Sequence, residues 1–315
     1  MRLALFIEGQ EGVTWEHWCA LADACETHGI DTLFRSDHYI SQSNENANVA
    51  HDAWTTLAGL AARTRTLRFG TLVSPATFRL PGLLANAAAT VDHISGGRIE
   101  LGLGAGWMER EHRAYGFPFP ETSERLARFA EQLEIVHRLW SEDRVHFHGT
   151  YYTLEDAPAQ PKPVQEPHPP IIVGGSGTRG TAEPAARFAD EYNTPFVSPD
   201  EFARIKNKVE AACAETGRTL RYSTMTGCLI GETRDDALER ARQLYGRVQR
   251  DADFDTWLSG YSQRALIGSV DDVAERLREY EDAGCERVML QHLLHADLEP
   301  VALIGRLGAS GDIAG

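Results

Sequence analysis

The sequence predicts an α/β fold of the (β/α)8 TIM-barrel type. Two observations carry this expectation. Strand-length apolar runs alternate with helix-period segments along all 315 residues, and the residues that close the strands are polar or glycine-rich while the strand bodies are apolar. Eight such units with right-handed βαβ connections close most simply as a barrel, and a doubly wound open sheet is the competing arrangement. The chain reads as one domain, 1–315, with an insertion at about 143–170.

Arg2 to Glu8 is an apolar run of strand length. The helix after it sets Trp15, Trp18, Cys19, Ala22 and Cys25 at helical spacing before Gly29 stops it. Cys19 on that stripe reads as a buried thiol. Thr32 to Arg35 is the second strand, closing on Ser36-Asp37-His38, and the polar loop from Ser41 to Asn48 is long enough for a surface lid or simply a mobile excursion. Trp54 to Arg65 is the second helix and Leu67 to Ser74 the third strand. Pro81 opens the third helix where proline is tolerated, and Gly96-Gly97 ends it. The fourth strand, Ile99 to Leu103, runs into glycines 102, 104 and 106, then Trp107 and a charged helix start, Glu109 to Arg113. A long amphipathic helix from Glu124 carries Leu126, Phe129, Ala130, Leu133, Val136, His137 and Trp140 on one face. The rhythm breaks at His146 to Val164, where aromatic alternation predicts an inserted hairpin and a proline-rich linker to Pro170. Pro170 to Val173, Asp190 to Pro195 and Leu220 to Ile230 are strands five to seven. Leu266 to Tyr280 reads as a turn and helix, and Arg287 to Gln291 as the eighth strand.

A net charge of -15 and the lack of a basic run argue against a nucleic-acid partner. No apolar segment reaches about 18 residues, so no membrane span is expected. Met1 leads straight into a strand without a secretory layout, and the five cysteines are odd in number with no CxxC pair. A reduced, cytoplasmic setting is expected. His146 and His148 have the spacing of metal ligands on a strand edge but lack a third, and no metal is expected.

Reacting groups of a barrel sit at the carboxyl ends of its strands. There the sequence places Glu8, Ser36-Asp37-His38, Thr71 to Ser74, Gly104 to Trp107, Gly174 to Thr178 and Gln291-His292. Asp37 beside His38 forms a pair able to shuttle a proton near neutral pH, or else a loop brace. The glycines before Trp107 admit a ligand close to the backbone, or simply make a tight corner. GLGAG is no complete dinucleotide fingerprint, because Trp107 stands where its third glycine belongs. GGSGTRG (Gly174 to Gly180) offers backbone N–H groups and Arg179 to a phosphate, or a flexible turn, and lacks the GK[ST] ending of a P-loop. Glu109, Glu111 and His112 are expected to face solvent.

Four stretches carry a resemblance: FRSDHY, WTTLAGLAARTRTLRFGTLVSPATFR, ATVDHISGGRIELGLGAGWMEREHRAYGFPFP and PAQPKPVQEPHPPIIVGGSG. In order and spacing, over roughly the first two-thirds of the chain, they resemble the luciferase-like monooxygenase superfamily and its coenzyme F420-dependent branch. The resemblance implies a bacterial-luciferase-like barrel with a deazaflavin or flavin in its mouth. It implies catalytic roles for His38 and Asp37. It implies a bulge at Leu72-Val73-Ser74, often with a non-proline cis peptide, that backs the cofactor ring. The cofactor-binding set it implies is Ser36, Thr71, Leu72, Val73, Ser74, Gly104, Ala105, Gly106, Trp107, Gly174, Gly175, Ser176, Gly177, Thr178 and Arg179. Sugar-phosphate dehydrogenases of this family carry an acidic residue directly after the GxG, where this chain has Trp107, which argues against such a substrate.

The expected activity is hydride transfer between a reduced deazaflavin and a small organic substrate, with His38 handling the proton. An FMN-dependent monooxygenase and a non-catalytic flavin-binding protein are the alternatives. Arg179 and Lys162 are expected to offset the negative field for the anionic tail of F420. The lid at 39–48 and the last third of the chain are expected to form the substrate pocket. Homodimers are common in the family, and a homodimer is expected here.

Overall fold

The computed structural model describes residues 1–42, 50–248 and 252–309, so the predicted lid falls largely outside the described residues. Its strands are β1 (Arg2–Ile7), β2 (Thr32–Arg35), β3 (Arg68–Thr71), β4 (Ser74–Pro75), β5 (Ile99–Gly104), β6 (Arg144–His148), β7 (Thr153–Pro158), β8 (Ile171–Gly174), β9 (Glu191–Pro195), β10 (Arg221–Gly231), β11 (Ala265–Ser269) and β12 (Arg287–Gln291). The helices, in chain order, are α1 (Trp15–His28), α2 (Ala53–Arg63), α3 (Pro81–Ser95), α4 (Glu109–Tyr115), α5 (Thr122–Ser141), α6 (Arg179–Phe188), α7 (Pro199–Thr216), α8 (Arg234–Arg247), α9 (Phe254–Ser262), α10 (Val270–Asp282) and α11 (Glu299–Ala309).

Local chemistry places these boundaries. The Thr14 hydroxyl accepts from the His17 N–H to start α1, and Gly29 at φ 75° closes it in a conformation that a Cβ would penalise. Ser269 and Asp272 bond each other's backbone in a capping box that opens α10.

Eight strands close a parallel ring in the order β12-β1-β2-β3-β5-β8-β9-β10, with β10 returning to β12. Leu5 lies between Leu33 of β2 and Leu290 of β12. These are the eight predicted strands, and the barrel expectation holds. Two readings need correction. The stretch from Leu266 is not a turn alone, because β11 pairs parallel with Gly227–Gly231, where the eleven-residue β10 outruns the ring and leaves an edge to fill. The third strand does not run unbroken to Ser74: it is interrupted at a cis Leu72-Val73 peptide, the bulge that the resemblance implied, after which β4 resumes pairing with β5. The insertion contains an antiparallel hairpin, β6-β7, in which His146 pairs with Asp156 at 3.3 Å.

Apolar side chains fill both the helix-sheet layer and the barrel interior, where Ala4, Phe6, Phe34, Ile172, Met225 and Met289 meet. Below them, at the amino ends of the strands, the fully buried Arg287 reaches Glu191 at 2.6 Å and Glu100 at 2.8 Å. Arg68 takes the second Glu100 oxygen at 2.9 Å. This ionic plug closes the bottom of the barrel, leaving the carboxyl end open. Cys19 is only half-buried, because its stripe edge faces out beside the partly exposed Trp15; the other four cysteines are buried. No helix among the described residues is long and apolar enough to cross a membrane.

Candidate active site at the barrel mouth

A cavity of about 800 Å³ opens at the carboxyl ends of the strands. Phe6, Leu72, Val73, Ile205 and Met225 give it apolar walls, while Glu8, Ser36, His38, Asn193 and Gln291 bring polar atoms to it. The nearly buried Glu8 carboxylate accepts from Gln10 at 2.8 Å and from Gln291 at 2.9 Å. Ser36 in turn donates to Gln10 at 2.6 Å and accepts from the Gly9 N–H at 3.0 Å. A sheet of amide and hydroxyl contacts therefore holds a carboxylate at the cavity floor.

His38 leaves the end of β2 and pairs with Glu111, not with Asp37: Nδ1 meets Glu111 Oε2 at 2.8 Å. The other Glu111 oxygen accepts from the backbone N–H groups of Tyr39 and Ile40. Burial disfavours the charged imidazole, but the hydrogen bond and charge of Glu111, with Glu8 and Asp37 farther off, outweigh it and raise the His38 pKa above its ordinary value. With Nδ1 committed, Nε2 is the ring nitrogen left for a ligand. Glu111 and His112 were expected to face solvent, yet both are buried. The short α4 folds back under Phe117 and Phe119, and His112 bonds the Met108 carbonyl at 2.7 Å and Thr77 at 2.6 Å.

Asp37 sits just behind the cavity and serves a brace. It accepts from the Ser74 hydroxyl at 2.7 Å and from Arg79, whose guanidinium also reaches Asp52 at 2.7 Å and the Tyr39 hydroxyl at 3.2 Å. Trp54 donates to the same Ser74 at 3.1 Å. The brace thus ties the end of β2 to β4 and α2. Burial raises the Asp52 carboxyl, but bonds from the Thr55 N–H and Arg79 bring it down to about 2.

The glycines at 102, 104 and 174 make room for protein as well as ligand. A Cβ on Gly102 would lie 2.1 Å from the Thr71 carbonyl oxygen, and one on Gly104 would lie 2.6 Å from a Val73 methyl. On Gly174 it would stand 3.1 Å from the other Val73 methyl. The bulge at Leu72-Val73 therefore presses into a groove that only glycine leaves open. Thr71 and Ser74 stay behind the cavity wall, whereas Leu72, Val73, Gly104, Ala105, Gly106 and Trp107 form part of it.

Next to the bulge, at the end of the neighbouring strand β8, Gly174, Gly175 and Ser176 line the cavity. Thr178 starts α6 without a side-chain cap, so the first-turn N–H groups of that helix carry the positive end of its dipole beside this wall. Gly177 donates to the Tyr192 hydroxyl at 2.8 Å, and a Cβ there would meet Ile205 at 3.0 Å, so neither Gly177 nor Thr178 faces the cavity. The expected cations lie elsewhere. Arg179 is 87% exposed and pairs with Glu183 on its own helix. Lys162 donates to the Leu139 and Glu142 carbonyls. Among the described residues Arg264 is the one Lys or Arg in the lining. The sequence held no signal for Glu111 as the partner of His38, nor for Arg79, Phe196 or Arg264; only the nearness of Glu111 to the glycine corner hinted at a place.

Residues 1–287 match the family model described as luciferase-like monooxygenase. Over 232 residues the chain is 30% identical to an FMNH(2)-dependent dimethylsulfone monooxygenase of Pseudomonas putida, covering 74% of this chain and 63% of that protein. Over 181 residues it is 38% identical to an F420-dependent glucose-6-phosphate dehydrogenase of Nakamurella multipartita, covering 55% and 50%. The matched part thus spans between half and just under two-thirds of these curated relatives. The crystal structure of monooxygenase RslO1 from Streptomyces bottropensis is similar with a TM-score of 0.80 at 25% identity, over 98% of each chain. With a match running from β1 to the first residue of β12 and a barrel shared along nearly its whole length, the chain belongs to the luciferase-like monooxygenase family of enzymes.

Proposed function

We propose that this protein is an oxidoreductase that transfers hydride between coenzyme F420 and a small organic substrate, using His38 to move the accompanying proton. The observation that carries the reading is the His38–Glu111 pair at the cavity wall, with Nδ1 bound at 2.8 Å and Nε2 left for a substrate hydroxyl or carbonyl. The higher identity to the F420-dependent relative supports the choice of cofactor.

The residues present fit such a group. The cavity volume suits a cofactor with a small substrate. Leu72 and Val73 offer a flat apolar backing for a ring, and Gly174 to Ser176 beside the uncapped α6 suit a phosphate. When bound, the deazaflavin supplies hydride chemistry at C5 with little reactivity toward O₂. Glu111 fixes the His38 ring and its tautomer, and Nε2 takes the hydroxyl proton when substrate is oxidised or returns it when substrate is reduced. The apolar walls limit water around the reacting atoms.

A second reading, an FMN-dependent monooxygenase, is favoured by the FMNH(2)-dependent relative, whose match covers more of this chain. Side-by-side titrations with F420 and FMN at low and high salt test the choice. F420 should bind more tightly, and its binding should weaken more with salt, because its tail is anionic and Arg264 lies in the wall. Tighter FMN binding with O₂ consumption on reduction would establish the monooxygenase instead.

The same reading includes a cytoplasmic homodimer. The outward stripe of α3 and its lead-in supports a second copy as partner, for Leu80, Leu83 and Ile94 are 62%, 64% and 45% exposed. Leu83→Arg should convert a dimer to a monomer in sedimentation equilibrium; a parent that sediments as a monomer ends this part of the proposal.

A further inference from the structure

Phe196 follows β9 with φ 54°, the left-handed region that a bulky side chain rarely adopts. Its surroundings hold it there. Its N–H donates to the Met225 carbonyl at 2.8 Å, and the carbonyl of the next residue, Val197, accepts from the Tyr280 hydroxyl at 2.6 Å. Pro195 before it sits in register with Met225. The ring packs against the cluster containing Leu72 and Met225 and lines the cavity. A strained aromatic residue over-determined by three neighbouring segments marks a functional wall. Trp107, which follows β5 and lines the same cavity, keeps 61% of its surface exposed, edge-on to His38 at 5.8 Å between ring centroids. An indole so exposed beside the proton-handling group has contact area to offer a ligand.

We infer that Phe196 is a specificity-determining residue, whose ring, aimed into the cavity by its left-handed backbone, selects together with Trp107 a substrate with an uncharged, apolar or aromatic body. The inference rests on the hydride-transfer reading only in placing the reacting carbon beside His38. On the part of the wall formed by Phe196, Trp107, Val197 and Ile205 it disfavours a polyhydroxylated body, to which those apolar faces supply no hydrogen bonds.

The probe is acetophenone, a neutral aromatic ketone, with glucose 6-phosphate as the polyhydroxylated anion. Calorimetric titration of the purified protein, with F420 present and absent, should show saturable acetophenone binding that exceeds glucose 6-phosphate binding. Phe196→Ala and Phe196→Gly should each weaken acetophenone about tenfold. F420 affinity should stay within about twofold of the parent, because the ring serves the substrate. Thermal midpoints isolate the backbone: both variants remove the ring, yet Phe196→Gly should unfold at the higher temperature, the reverse of the usual order. Equal acetophenone affinity in parent and variants, tighter glucose 6-phosphate binding, a parallel loss of F420 affinity, or a midpoint for Phe196→Ala at or above that for Phe196→Gly would each overturn the assignment. A parent that fails to bind F420 refutes the cofactor reading alone, since the cofactor-free titration and the midpoints still decide this one.

Discussion

At the scale of the residue, His38 answers to two opposed forces. Burial works against its charge, and the contact with Glu111, aided by Glu8 and Asp37, wins. Its folded pKa is raised, so the stability it contributes is present below its ordinary 6.5 and lost as pH rises through the folded value. As proton acceptor it must be neutral, and substrate oxidation should therefore accelerate with pH through an apparent pKa above 6.5. Glu111→Gln removes the charge while leaving the burial, so the rising limb of the pH–rate profile should move to lower pH. A limb that stays in place would show that His38 does not titrate in the reaction. His38→Ala should lower turnover roughly a hundredfold with little change in cofactor affinity, the effect of losing a positioned acid or base. Fluorescence titration beside steady-state kinetics separates the two quantities.

At the scale of the element, the β3–β4 bulge and the glycine strand β5 form one unit. Thr71 donates its hydroxyl to the Gly102 carbonyl at 3.0 Å, and the bulge fills the groove beside Gly104. Gly102→Ala sets a methyl against a backbone oxygen at 2.1 Å, a contact that no rotamer relieves. It should cost about 2 kcal/mol or more, read as a lowered midpoint in urea unfolding. Gly104→Ala meets only a Val73 methyl, so the bulge can shift. That variant should stay folded but lose cofactor affinity about tenfold or more, measured by fluorescence titration. Unchanged affinity would separate the bulge from the cofactor.

At the scale of the whole molecule, the ionic plug and the open mouth divide stability from function between the two barrel ends. Arg287→Met would leave Glu100 and Glu191 buried without their shared cation and should cost about 3–5 kcal/mol by denaturant unfolding. Burial raises the Glu100 carboxyl, but Arg287 and Arg68 overcome it and hold it at about 2. Its folded pKa lies below the unfolded one, so its contribution is present above about pH 4.5 and disappears as pH falls toward 2. Burial drives His292 and His295 down to about 4, so each stays neutral when folded and takes up a proton when unfolded. That term removes stability earlier, as pH falls from 6.5 toward 4. Thermal midpoints should thus begin to decline below about pH 6.5, and His292→Gln should flatten that first decline.

Local signals in the sequence suffice for whatever repeats along the chain. Period-two and period-3.6 patterns, proline starts and glycine stops placed the eight ring strands and most helices, since those signals act within a few residues. Family-spaced motifs also placed His38, the Leu72-Val73 bulge and the glycine walls at one barrel end. Which side chains meet depends instead on packing between segments far apart in the chain. His38 adjoins Asp37 in sequence, yet successive residues leaving a strand point apart, so Asp37 turns to Arg79 and His38 to Glu111, 73 residues away. Arg179 follows a glycine loop suited to phosphate but points to solvent, because the rotation of α6 sets its side chain toward Glu183. The left-handed backbone of Phe196 had no local signal, since the residue that pays this strain is set by β10 and Tyr280 packing around it rather than by its neighbours in sequence.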